Sequence, residues 1–141
     1  MNQRKEIVSL RLTNDDRTAV QSIADRLLVR ESDIYRFAVN QLVTRLQKLL
    51  DSSCRGIDLL PLFLELRDEL NYSLGFKTKQ LYNIINHKEL APERQVSMED
   101  IELLILPHHL VRNRLKTLHD INDNNIDTDK WLRLYFKEKY L

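Results

Sequence analysis

Cysteine, glycine and proline are nearly missing from this chain. Its single cysteine, Cys54, cannot close an internal disulfide, so packing and hydrogen bonds must carry the fold, and a reducing, cytoplasmic compartment is expected. Two glycines and three prolines in 141 residues supply too few turn-formers for a sandwich or a barrel, whereas Leu, Lys, Arg, Glu and Gln abound; the expectation is a mainly α fold. No apolar run approaches the length of a membrane span, and the N-terminus lacks the apolar stretch of a signal peptide, so no membrane association is expected. Catalytic constellations are missing too. The four histidines, His87, His108, His109 and His119, lie far from Cys54 in sequence, and adjacent His108 and His109 point in different directions on a helix. Neither an enzyme, a cofactor nor a metal centre is expected.

Charge is abundant and nearly balanced at +1, but it is unevenly spread. Residues 1–50 hold nine Lys/Arg against six Asp/Glu, a balance of +3, and residues 51–141 hold thirteen against fifteen, a balance of −2. A basic first part permits contact with nucleic acid without demanding it.

The first part also carries the most distinctive pattern. In "IVSLRLT", Val8, Leu10 and Leu12 alternate with Ser9 and Arg11, the period of a half-buried strand whose other face holds Lys5, Ile7, Ser9 and Arg11. No second strand follows to pair with it. Thr13 or Asn14 then caps a helix whose first turn holds Asp15 and Asp16, with Val20, Ile23, Ala24 and Leu27 on one face. The segment "LVRES" breaks that periodicity. A second helix is predicted from Glu31 to about Leu50, turning Ile34, Phe37, Ala38, Leu42, Leu46 and Leu49 inward.

"DSSCRGID" marks the boundary to a helical remainder. One helix is expected to begin at an Asp58 cap, admit Pro61 in its first turn and stop at Gly75. Further helices are expected after Thr78, after Ser97 as far as Pro107, over "HHLVRNRLKTLHDI", and over the last residues with Asp127 as cap. The last helix is apolar on most sides through Trp131, Leu132, Leu134, Tyr135, Phe136, Tyr140 and Leu141, which points first to a core and second to a partner surface. Asp120, Asn122 and Asn124 have the spacing of a calcium loop, but Asn125 replaces its glycine and Trp131 its bidentate Glu, so calcium is not expected.

A strand, a capped helix, a short turn and a second helix within about fifty N-terminal residues resemble the ribbon-helix-helix family of DNA-binding repressors, the Arc and MetJ type. The match runs over residues 5–50 through "VSLRLTNDD" and "VRESDIYRFAV", where Ser32, Asp33, Ile34, Tyr35, Arg36 and Ala38 follow the family's order at the start of the second helix. At the interhelical turn Leu28 stands where that family often has Gly, and Arg30 and Glu31 replace its usual Ser or Thr cap and basic residue. The resemblance implies that the strand pairs antiparallel with its copy from a second subunit and that the ribbon enters the DNA major groove. It implies a dimer core of Val8, Leu10, Leu12, Ile34, Phe37 and Ala38.

A two-stranded ribbon fits the major groove and brings its outward side chains to the base edges. Arg11 then offers a fork to guanine O6 and N7, Ser9 a hydroxyl, and Ile7 an apolar contact for a thymine methyl. Arg4, Lys5, Arg30, Glu31 and Ser32 fall near the phosphates, the last two through backbone N–H groups at a helix start. The expected partners are double-stranded DNA and a second copy of the chain, with higher oligomers left open. Residues 1–50 thus form a DNA-binding and dimerisation domain, and residues 51–141 a helical domain for oligomer contacts, an effector or a protein partner. The leading expectation is a dimeric transcriptional regulator acting as a repressor. The same domain also occurs in antitoxins, whose tails commonly order only on meeting the toxin, and in accessory proteins of plasmid transfer or partition. A third reading is a helical interaction module that its N-terminus dimerises without DNA.

Overall fold

A computed structural model describes residues 4–87, 90–119 and 127–141. Eight α-helices account for the regular structure among them, joined by short 3-10 turns. The chain divides into two compact units, one ending at Leu46 and one running from Gln47 to Leu141. None of the described helices is long and apolar enough to cross a membrane.

The N-terminal unit holds α1 (Asn14–Leu27) and α2 (Glu31–Arg45). Thr13 Oγ1 accepts from the Asp16 N–H at 3.1 Å and fixes the start of α1, as its sequence position leads one to expect. The helix ends at Leu28, whose φ of 58° is left-handed, the conformation in which glycine avoids a Cβ clash of about 1–2 kcal/mol. Leu28 therefore occupies the glycine position with the glycine's backbone. The second helix is shorter than predicted: α-helical geometry stops at Arg45, and Gln47–Leu50 form a 3-10 turn that belongs to the other unit.

The predicted strand is not seen. Among the described residues there is no β-strand, and residues 4–13 adopt no regular secondary structure. A strand is defined by its ladder of backbone hydrogen bonds, and a single chain with one such segment supplies no second edge.

The C-terminal unit packs α3 (Leu60–Glu65), α4 (Arg67–Leu74), α5 (Thr78–Ile85), α6 (Met98–Leu103), α7 (His108–His119) and α8 (Thr128–Tyr140) around one core. Leu60, Leu81, Ile85, Ile101, Val111, Leu115 and Phe136 are wholly buried in it. Where one helix was predicted from Asp58 to Gly75, the chain makes a 3-10 turn (Gly56–Leu59), then α3, then α4, with a break at Leu66. Asp58 is therefore not a cap; it lies inside the turn and pairs with Arg94. Gly75 ends α4 in the left-handed conformation, Ser97 Oγ accepts from the Asp100 N–H at 3.3 Å, and Asp127 Oδ1 accepts from the Asp129 N–H at 3.0 Å. The calcium-loop spacing falls mostly on residues 120–126, outside the described residues, and Trp131 is half-buried inside α8. Trp131, Leu132, Tyr135 and Phe136 all belong to or pack against the core, so the apolar character of α8 serves the interior first.

Buried polar groups are satisfied by fixed partners. Arg67 sends Nε and Nη2 to the Leu103 carbonyl, both at 3.2 Å, and Nη2 also to that of Leu106, closing the end of α6. Asn86 donates to the Val96 carbonyl at 2.7 Å and accepts the Val96 N–H at 2.8 Å, the pairing a neighbouring strand would provide. Asp100, buried in α6, accepts from Tyr135 at 2.7 Å, from Tyr140, and from Lys139 at 2.7 Å. Burial pushes its carboxyl up, but hydrogen bonds from Lys139, Tyr140, Tyr135 and Ser97 outweigh this and hold it below the usual Asp range.

That shift has a defined sign. With the folded value below the unfolded one, the linked stability is fully present above about pH 4 and is lost as pH falls through the folded value. Acid unfolding followed by circular dichroism should show it. Asp100→Asn is expected to be less stable at pH 7 and to lose less of its remaining stability as pH falls below about 4. Parallel acid curves for the two proteins would exclude this account of the cluster.

Candidate nucleic-acid interface

The N-terminal unit is built almost without an interior. Ala24 is its only buried residue among those described. α1 and α2 pack on one another, yet Val8 remains 88 % exposed, Leu10 73 % and Phe37 62 %. Ile23, Leu27, Leu42 and Val43 are exposed as well. Burial of an aliphatic side chain contributes about 1.5–3 kcal/mol, so such a unit leaves most of its apolar stabilisation unrealised as a single copy.

The exposed apolar groups are organised. Val8, Leu10 and Leu12 of the N-terminal arm face Ala38 and Val39 of α2 across a groove of about 690 Å³ that Arg17, Glu31, Ser32 and Tyr35 also line. Of the residues predicted for the dimer core, the structure thus gathers Val8, Leu10, Leu12 and Ala38 at one place. Ile34 is half-buried and Phe37 exposed, and neither lines the groove.

Every residue predicted to meet base edges is exposed: Ile7, Ser9 and Arg11. Arg4 and Lys5 are exposed beside them. At the start of α2 the picture is more acidic. Arg30 is the cap residue, and its N–H donates to Asp33 Oδ2 at 3.0 Å, while the Asp33 N–H donates to the Arg30 carbonyl at 3.0 Å. The guanidinium groups of Arg30 and Arg36 lie 3.4 and 3.3 Å from the same carboxylate. The backbone N–H of Arg30, then its side chain, hold Asp33 below the ordinary Asp range. Ser32 is exposed and Glu31 half-buried.

Two further residues shape this end of the unit. Tyr35 donates its hydroxyl to Glu31 Oε1 at 2.9 Å, and Arg17 of α1 lies 3.4 Å from the same oxygen. The Tyr35 hydrogen bond lowers the Glu31 carboxyl, and Glu31 in turn raises the Tyr35 hydroxyl. The i, i+4 spacing of Glu31 and Tyr35 on one helix signals their contact in the sequence; nothing there signals Arg17. No group of three metal-ligating side chains occurs among the described residues of this unit. Comparison with family models, with curated proteins and with solved structures finds no match to the chain.

Proposed function

We propose that the chain is a dimeric, sequence-specific DNA-binding regulator that represses transcription, with residues 5–13 of two copies paired as an antiparallel ribbon in the major groove. The observation that carries this reading is the arm itself. Its apolar side chains line a groove with α2 yet stay exposed, and its other side chains include Ser9 and Arg11. Pairing two arms supplies the missing ladder, buries Val8, Leu10 and Leu12 between subunits, and directs Ile7, Ser9 and Arg11 outward. Arg11 then serves as the base reader, with Arg4 and Lys5 on the phosphates. The packed core of the C-terminal unit weighs against an antitoxin tail that orders only on its toxin, and it leaves the plasmid accessory role open.

Fluorescence anisotropy of the full chain tests this against the DNA upstream of its own gene and a scrambled duplex, over a range of salt. The upstream duplex should bind more tightly, and Arg11→Ala should cost about 1–3 kcal/mol there while changing binding to scrambled DNA little. Equal, salt-sensitive binding to both duplexes would reduce the interaction to phosphate contact.

One observation favours a second reading, an N-terminus that dimerises the chain without DNA. Arg30 and Arg36 are both drawn to Asp33, and Arg17 to Glu31, so much of the local positive charge is paired within the unit. No binding to either duplex at low salt would select this reading.

A further inference from the structure

At one edge of the C-terminal unit three side chains from separate helices converge: Asp68 of α4, His108 at the start of α7 and Asp129 in the first turn of α8. Each offers a ligand atom, and the three atoms lie within 4.8 Å of one another, the only such group among the described residues. His108 Nε2 is 2.9 Å from Asp68 Oδ1, and Nδ1 is 3.6 Å from Asp129 Oδ1. We propose that these residues form a binding site for a divalent transition cation of the zinc class.

The imidazole makes the argument. A neutral ring carries one N–H and one lone pair, so it can donate to only one of the two carboxylates that flank it. The other carboxylate oxygen then confronts a nitrogen lone pair. A cation between nitrogen and oxygen removes that conflict, and a mixed set of one imidazole and two carboxylates suits zinc and its neighbours better than calcium, which takes oxygen ligands. Ligand atoms held at about 2.0–2.2 Å from one zinc ion stand roughly 3.4 Å apart in tetrahedral geometry. One zinc ion takes a single nitrogen of His108, so the carboxylate now beside the other nitrogen must swing to the same side of the ring, a movement within reach of side chains whose ligand atoms lie within 4.8 Å of one another. All three side chains are about half-exposed, which leaves a path for the ion and room for water as a fourth ligand. Arg67 lies 3.0 Å from Asp68 Oδ1 and offsets part of the negative charge, although its other contacts are the carbonyls of Leu103 and Leu106. Its presence weakens the pull of the site on a cation.

This inference does not depend on DNA binding, because its ligands all belong to the C-terminal unit. The competing account is an ion pair in which a second proton on His108 does the cation's work. Isothermal titration of the chelator-treated full chain with zinc chloride distinguishes the two. The expected result is one zinc per chain, with His108→Gln and Asp129→Asn each weakening binding at least tenfold and leaving far-ultraviolet circular dichroism unchanged. Cobalt should give a visible absorption band that both variants lose. Absence of saturable zinc binding up to about 100 µM would overturn the proposal. So would binding that His108→Gln leaves intact, which would place the ion on Cys54 or another histidine.

Discussion

In the proposed dimer, Leu10→Asp should separate the subunits and unfold the N-terminal unit in one step, while the C-terminal unit keeps its fold. The reasoning starts from the exposure of Leu10 in the single chain and its place in the groove beside Val8 and Leu12. If two arms pair there, Leu10 faces its symmetry-related surroundings, and an aspartate at that point places two unpaired carboxylates in an apolar interface. Burying each costs several kcal/mol, comparable to the whole stability of a small domain. α1 and α2 enclose only Ala24 between them and have no other interior to fall back on. Sedimentation should therefore show a monomer, and circular dichroism should show the loss of about two helices' worth of signal. A variant that sediments as a monomer with full helix content would refute the coupling of folding and association.

Gly56→Ala is expected to cost the C-terminal unit about 3 kcal/mol or more, and Gly75→Ala only about 1 kcal/mol. Both glycines have left-handed backbones, with φ of 61° and 58°. Any side chain there meets the same conformational penalty, so the difference between them isolates the space around each. A Cβ on Gly75 would meet nothing within 4 Å. One on Gly56 would stand 2.2 Å from the Arg94 carbonyl oxygen and 2.5 Å from a methyl of Leu90. The first of these is backbone in a segment that Asp58 holds through Arg94 and that Asn86 closes at Val96, so relief requires moving the chain. Chemical denaturation of both variants measures the contrast. Equal losses would mean that the segment at Arg94 yields freely and that the close approach at Gly56 constrains nothing.

Several helix ends were legible from local signals, though the cap expected at Asp58 was not one of them. Thr13, Ser97 and Asp127 cap their helices through side-chain acceptors, and Gly75 ends α4 with a left-handed backbone, whereas the helix expected to run as far as Pro107 already stops at Leu103. The break at Leu66 was not legible, because the chain around it reads as one continuous apolar-periodic helix; it follows from what lies across the core, where Arg67 turns to the carbonyls that end α6. The helix expected to reach Leu50 stopped at Arg45 for a related reason: Leu46 and Leu49 keep the helical period, but the residues from Gln47 onward belong to the other unit. Of the candidate interface, the alternation of Val8, Leu10 and Leu12 showed which residues share a face. It could not show how Arg17 and Glu31 meet, since that contact joins two helices. Asp68, His108 and Asp129 were invisible for the same reason in stronger form, each standing alone in its own helix until the core brings α4, α7 and α8 together.

The near-absence of an interior in the first unit also bears on how the chain behaves as its abundance changes. If that unit acquires its core only from a second copy, its folded fraction follows protein concentration, whereas the second unit has its own core and does not. Dilution would then expose residues 4–46 to proteases while sparing the rest, and a scarce protein would be trimmed of its first unit. Abundance would act as a threshold: below it the chain survives as an inert helical body, and above it both association and resistance to degradation rise together.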